Sequence, residues 1–104
     1  FFENKVLAVA SIEEVEKYGV QRGDSETVVN MLRDLKGIDV SMLIKEYGPR
    51  EYKVSLRSKE VDVSKVARAN GGGGHIRASG FTIVEESLDK AYQKGLDILK
   101  GINA

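Results

Sequence analysis

Cysteine and tryptophan are absent from this sequence, histidine and proline occur once each, as His75 and Pro49, and neither sign of charge is in excess. Without cysteine there are no disulfides, no thiolate chemistry and no cysteine-ligated zinc, which fits a reducing interior. With a single histidine, a metal centre would have to be built largely from carboxylates, and the acidic residues are scattered without a two-metal spacing. A Ser/His/Asp centre lacks the Gly-x-Ser-x-Gly elbow that would present its nucleophile. No catalytic or metal-ligating residue is therefore expected within the chain. The 16 Lys and Arg balance 16 Asp and Glu, so the overall field says nothing of nucleic acid and any phosphate recognition must be local. No apolar run approaches the roughly 18 residues of a membrane span, and no signal-peptide pattern is present. The expectation is a cytoplasmic protein with no membrane partner.

What is there is a globular composition, 41% hydrophobic and 31% charged over 104 residues, enough for one domain with a single core. The chain opens at Phe1 and Phe2 without a methionine, which suggests a piece of a longer protein. Its most distinctive stretch is Asn70 to Gly80, where four consecutive glycines run into the only histidine. Ordering glycine costs more backbone entropy than ordering any other residue, so such a run tends to be kept where the backbone must come close to something. Clustered backbone N–H groups hold phosphate or carboxylate oxygens well. His75 and Arg77 could add donors to the same ligand. A plain flexible loop is the alternative reading of the glycines.

Along the chain, Lys5 to Ala10 reads as a buried strand. Ser11, with Glu14 in a capping box, opens a short helix that Gly19 would stop. Asp24 caps a second helix whose Val28, Met31, Leu32 and Leu35 form one apolar stripe, and Gly37 ends it. Ile38 to Tyr47 alternates as a strand, Gly48 and Pro49 mark a turn, and Tyr52, Val54 and Leu56 alternate in a returning strand, so the two form a hairpin. Arg57 lies opposite the apolar set at the strand's end, a rigid place from which to aim a guanidinium; a solvated strand residue is the plain alternative. Asp62 or Ser64 caps a third helix that runs into the glycines. His75 to Ser79 is long enough for one helical turn, which would put the Gly73 and Gly74 amides at a helix N-terminus. Phe81 to Val84 reads as a strand, and a last helix carries Leu88, Ala91, Tyr92, Leu96 and Leu99 inward. The fold class is α/β (α+β): a mixed sheet of four to five strands with a β-hairpin, flanked by helices, in one domain over residues 1–104.

The glycines are not a Walker A loop, because no Gly-Lys-Ser/Thr follows, nor a dinucleotide fingerprint, because they come after a helix. The segment from Val66 to Phe81, with Asn70-Gly71-Gly72-Gly73-Gly74-His75-Ile76-Arg77-Ala78-Ser79-Gly80 at its centre, resembles the Gly-Gly-Gly-His-x-x-Ala-Ala-Gly signature of the DHH-associated domain, the C-terminal half of DHH-family phosphoesterases. Ser79 replaces the second alanine, small for small. Val54-Ser55-Leu56-Arg57-Ser58 is similar to that family's Arg-Ser strand, and the resemblance spans nearly the whole chain.

The resemblance implies a substrate-binding domain whose nearest pattern is that of bacterial enzymes degrading short oligoribonucleotides and dephosphorylating phosphoadenosine phosphate. It implies a separate N-terminal DHH domain of the same polypeptide holding two manganese ions, with no cofactor bound by this chain. Carried over, Gly72, Gly73 and Gly74 would offer N–H groups to the substrate's terminal phosphate, His75 would hydrogen-bond a phosphate oxygen, and Arg57 with Ser58 would clamp another. Arg77 falls at a variable position, and its role is a physical inference only. The isolated chain is expected to be part of a hydrolase yet inactive alone, with a homodimer left open. Rival readings are a cyclic-dinucleotide or single-stranded DNA phosphodiesterase domain of the same superfamily, a freestanding RNA-binding module, and a packing or dimerisation domain in which the glycines only let a helix approach a strand.

Overall fold

A computed structural model describes residues 1–11 and 22–103. Five strands, β1 (Lys5–Ala10), β2 (Val40–Gly48), β3 (Glu51–Ser58), β4 (Gly73–His75) and β5 (Ala78–Val84), form one mixed sheet in the order β1-β2-β3-β5-β4. The β1–β2 pair is parallel and the other three pairs are antiparallel. Helices α1 (Arg22–Asp34), α2 (Ser64–Ala69) and α3 (Leu88–Lys100) complete the described elements. The expected α+β class, with its β2–β3 hairpin, is the observed one. The short helix expected after Ser11, with Glu14 and Gly19, lies outside the described residues.

Alternation along β3 separates two faces. Tyr52, Val54, Leu56 and Ser58 are buried together, while Glu51, Lys53, Ser55 and Arg57 point the other way. The first face carries the core, in which Met42, Ile44, Leu56, Ile83 and Leu99 are fully buried. Burying each such side chain contributes about 1.5–3 kcal/mol. α2 and α3 cover this face through Val63, Ala67, Ala91 and Leu99. Among the described helices, α1 is the one on the second face, over β1, β2 and β3. Ser41 Oγ of β2 donates to Val29 O of α1 at 2.8 Å, which brings that helix backbone down onto the strand.

This contact corrects the expected orientation of α1. Val29 is fully buried, whereas Val28, Met31 and Leu35 of the expected inward stripe are exposed and Leu32 is half-buried. The helix also includes Arg22, so Asp24 falls inside its first turn and is not its cap. A larger correction concerns residues 75–79. They form no helical turn: Gly73–His75 is a strand, Ile76 and Arg77 make the turn, and Ala78 opens β5. A tight hairpin returns the chain antiparallel to itself, and the sheet gains an edge strand made largely of glycine.

Candidate functional site

The glycine run divides into two halves with different jobs. α2 ends with Asn70 as its C-cap, and Gly71 follows at φ +85°. Gly71 N donates to Arg68 O at 3.1 Å and Gly72 N to Ala67 O at 2.8 Å, the paired bonds of a Schellman closure. A Cβ on Gly72 would stand 2.1 Å from Gly80 O and 2.7 Å from Phe81 Cα. Gly71 and Gly72 thus close the helix and press the chain against β5. The Gly72 amide, expected to face phosphate, is spent on Ala67. Gly73 and Gly74 instead enter edge strand β4, where backbone N–H groups point alternately at the partner strand and away from the sheet. Above Gly73 the space is open: a Cβ there would meet nothing within 4 Å.

Strand register brings Arg57 and His75 together. Ser41 pairs with Arg57, Arg57 with Ala78, and Ala78 with His75, one row across four strands. Residues directly opposed in a ladder project from the same face. Arg57 and His75 therefore share the second face, separated by two strand spacings, about 10 Å between backbones. The next row, Leu43, Ser55, Gly80 and Gly73, lies beside it. Between Arg57 and His75 the floor is Ala78, flanked by Ser55 and Gly80, so no large side chain fills the space. Among the described residues, the helix on this face lies over β1 to β3 and leaves the β5 and β4 side uncovered.

Arg57 is held rather than free. Its Nε donates to Asn30 Oδ1 of α1 at 3.0 Å and its Nη1 to Leu56 O at 2.9 Å. That leaves Nη2 for an incoming acceptor among the described residues, and Arg57 has no described carboxylate within salt-bridge distance. Burial pulls the guanidinium below its ordinary value, Glu26 draws it back up, and Arg33 lowers it again. It remains cationic at physiological pH, a partly desolvated charge with no counter-ion in reach among the described residues. His75 is exposed, and its ring makes no hydrogen bond with a described residue.

Ser58 does not join them. It is buried on the core face, its Oγ donates to Val61 O, and its N–H donates to Arg77 O at 3.1 Å. Its role is to tie the end of β3 to the β4–β5 turn, not to clamp a ligand. Val63 N likewise donates to Ile76 O at 2.8 Å, and Ser79 Oγ to Val63 O at 2.9 Å, so the hairpin is anchored from both sides. Arg77 is exposed at the tip, beside His75 and Ile76. Sequence reasoning did not single out Asn30, which orients Arg57, or Gly80, whose added Cβ would stand 2.7 Å from Val54 O. The first carries no local signal, since its partner is 27 residues away; the second stood in plain view as the last glycine of the motif. Among the described residues no three His, Asp or Glu side chains gather to hold a metal ion, so these residues do not fit a two-metal site. No described helix is long and apolar enough to cross a membrane.

Comparison with known proteins agrees with this layout. A bifunctional oligoribonuclease and PAP phosphatase of Thermus thermophilus is 36% identical over 80 residues, covering 74% of this chain and 24% of that protein. The chain thus spans about a quarter of that relative's length. An exopolyphosphatase-related protein of Bacteroides fragilis superposes with a TM-score of 0.80 at 29% identity, covering 94% of this chain and 29% of that one. The C-Ala domain of Aquifex aeolicus alanyl-tRNA synthetase shares the fold, with a TM-score of 0.64 at 19% identity over 93% of this chain and 91% of that one. Residues 4–101 match the DHHA1 domain, and with the glycine, histidine and arginine positions on one sheet face, the chain belongs to the DHHA1 domain family.

Proposed function

We propose that this chain is the substrate-binding part of a DHH-family phosphodiesterase and that it grips the terminal phosphate of a short oligoribonucleotide or of phosphoadenosine phosphate. The observation that carries this is the row Arg57–Ala78–His75, which sets a partly desolvated guanidinium and an exposed imidazole on one sheet face with a small-residue floor between them. Arg57 Nη2 donates to one phosphate oxygen and His75 to another, while the backbone around Gly73 and Gly74 lets the phosphate approach the edge strand. Arg77 at the hairpin tip adds charge nearby. The T. thermophilus relative, named for oligoribonuclease and phosphatase activity, supports a phosphoester ligand.

Hydrolysis then belongs to a DHH domain of the same polypeptide, which would bring two manganese ions and the attacking water. Positioning without that nucleophile leaves the barrier almost untouched. The test uses the chain by itself. Titration with a 5′-phosphorylated diadenylate should move the backbone amide signals of Arg57 and of residues 73–77, and Arg57→Ala and His75→Ala should each weaken binding by about tenfold, as loss of a charge-assisted hydrogen bond does. Added manganese should release no mononucleotide. Amide shifts confined to other strands, or hydrolysis by this chain alone, would refute the proposal.

A further inference from the structure

The far end of the same open face carries side chains that the terminal-phosphate site does not use. One row beyond Ser55 and Gly80, Lys45 stands opposite Lys53, and Lys53 stands opposite Thr82. Lys53 Nζ donates to Thr82 Oγ1 at 3.3 Å and lies 5.0 Å over the ring of Tyr47. Tyr47 sits where the β2–β3 register slips between Glu46 and Gly48, and such a bulge re-aims a side chain. The tyrosine is 52% exposed, which is a large aromatic surface to leave in water. Beside Lys53 and Thr82 opens a groove of about 400 Å³ that runs past Ser55 and Gly80 to Gly71 and Gly72.

We infer that Tyr47, Lys53 and Thr82 form a second nucleotide subsite, in which a base stacks on Tyr47 and its phosphate is held by Lys53 and Thr82. The inference rests on the proposed terminal-phosphate site at Arg57 and His75 and extends it along β3. An exposed ring beside a cation is the pairing that single-stranded nucleic acid exploits, since every base has a face to stack and every link a charge. Four residues along β3 separate Lys53 from Arg57, about 13 Å at strand rise and hence about two phosphodiester links, and Ser55 is the β3 side chain between them on this face. One row further on this face comes Glu51, opposite Val84, and its carboxylate opposes a further phosphate. The site therefore selects an oligonucleotide longer than one nucleotide and gains nothing from a long one.

Fluorescence-anisotropy competition with the full chain tests this, using adenosine 5′-monophosphate, 5′-phosphorylated triadenylate and 5′-phosphorylated hexa-adenylate. Triadenylate should bind roughly tenfold tighter than the mononucleotide, the gain expected of one stacked base, and hexa-adenylate should add little more. Tyr47→Leu and Lys53→Gln should each bring that ratio close to one while leaving mononucleotide binding unchanged, and Tyr47→Phe should preserve it. Both positions are exposed, and circular dichroism checks that the variants fold. A wild-type ratio near one, or a ratio that Tyr47→Leu and Lys53→Gln leave intact while Arg57→Ala weakens every ligand, overturns the second subsite and spares the first. Binding of all three ligands untouched by Arg57→Ala overturns the terminal-phosphate site, and the second subsite falls with it.

Discussion

At Gly71 the backbone sits at φ +85°, at Gly72 an added Cβ would strike the Gly80 carbonyl, and at Gly73 it would enter open space. Three neighbouring glycines thus face three different constraints, and alanine at each position has a different cost. Gly72→Ala should lose about 3 kcal/mol, the upper end for overpacking against backbone that cannot yield. Gly71→Ala should lose about 1–2 kcal/mol for a left-handed alanine, and Gly73→Ala should stay within about 0.5 kcal/mol. Urea unfolding of the three variants checks the order; equal losses would mean that the run serves only as slack chain. From the sequence Gly72 and Gly73 were indistinguishable, because what separates them is the position of β5, which arrives only after the hairpin turn.

The element that presents the glycines is itself short and depends on its start. α2 has six residues, and Val63, its N-cap, supplies no side-chain bond. Asp62 Oδ1 takes that part, accepting from Ser64 N at 2.9 Å and from Ser64 Oγ. The Ser64 side-chain hydrogen bond is the largest cause holding the Asp62 carboxyl below its ordinary 3.8; backbone N–H groups of Ser64 and Lys65 and the Lys65 charge add to it, and desolvation opposes. A depressed carboxylate contributes stability above its unfolded value and loses it as pH falls through the lower folded one. Asp62→Asn should therefore melt below wild type at neutral pH, and the two melting curves should converge as pH falls below the ordinary carboxylate range. A deficit that persists unchanged in acid would assign the effect to something other than the charge. That Asp62 serves the start of this helix was readable in sequence because such bonds act within a few residues, although the N-cap position itself falls to Val63 and Ser64 is the first helical residue. The face of α1 was not: Val28, Met31 and Leu35 have the spacing of an inward stripe, yet Ser41 and Arg57, from strands beyond the helix, set its rotation through Val29 and Asn30.

For the molecule as a whole, equal numbers of acidic and basic residues make binding a matter of a few local cations. That choice has a salt signature. Two phosphates held at Arg57 and Lys53 should give a slope of about −1.4 in log affinity against log salt, since single strands release about 0.7 counterion per contact. A freestanding module gripping folded RNA through many phosphates would give a far steeper slope, so titrating the triadenylate and a folded RNA across a salt series separates the two readings. The fold shared with the C-Ala domain does not choose between them.

What the sequence determined by itself was whatever acts over a few residues. The alternation of β3, with Arg57 opposite Val54 and Leu56, the turn at Gly48 and Pro49, the apolar stripe of α3 and the motif from Gly71 to Gly80 were all legible, and the motif led to the DHHA1 family. Tertiary structure alone decided which of the motif's groups reach the open face of the sheet. Pairing of β5 with β3 and of β4 with β5 put Arg57 and His75 in one row, turned Ser58 into the core, spent the Gly72 amide on α2 and placed Lys53 beside Tyr47 and Thr82. Those are contacts between segments far apart in the chain, and the register that creates them is settled when the core face of the sheet is buried, because a slip of one residue would expose that face to water.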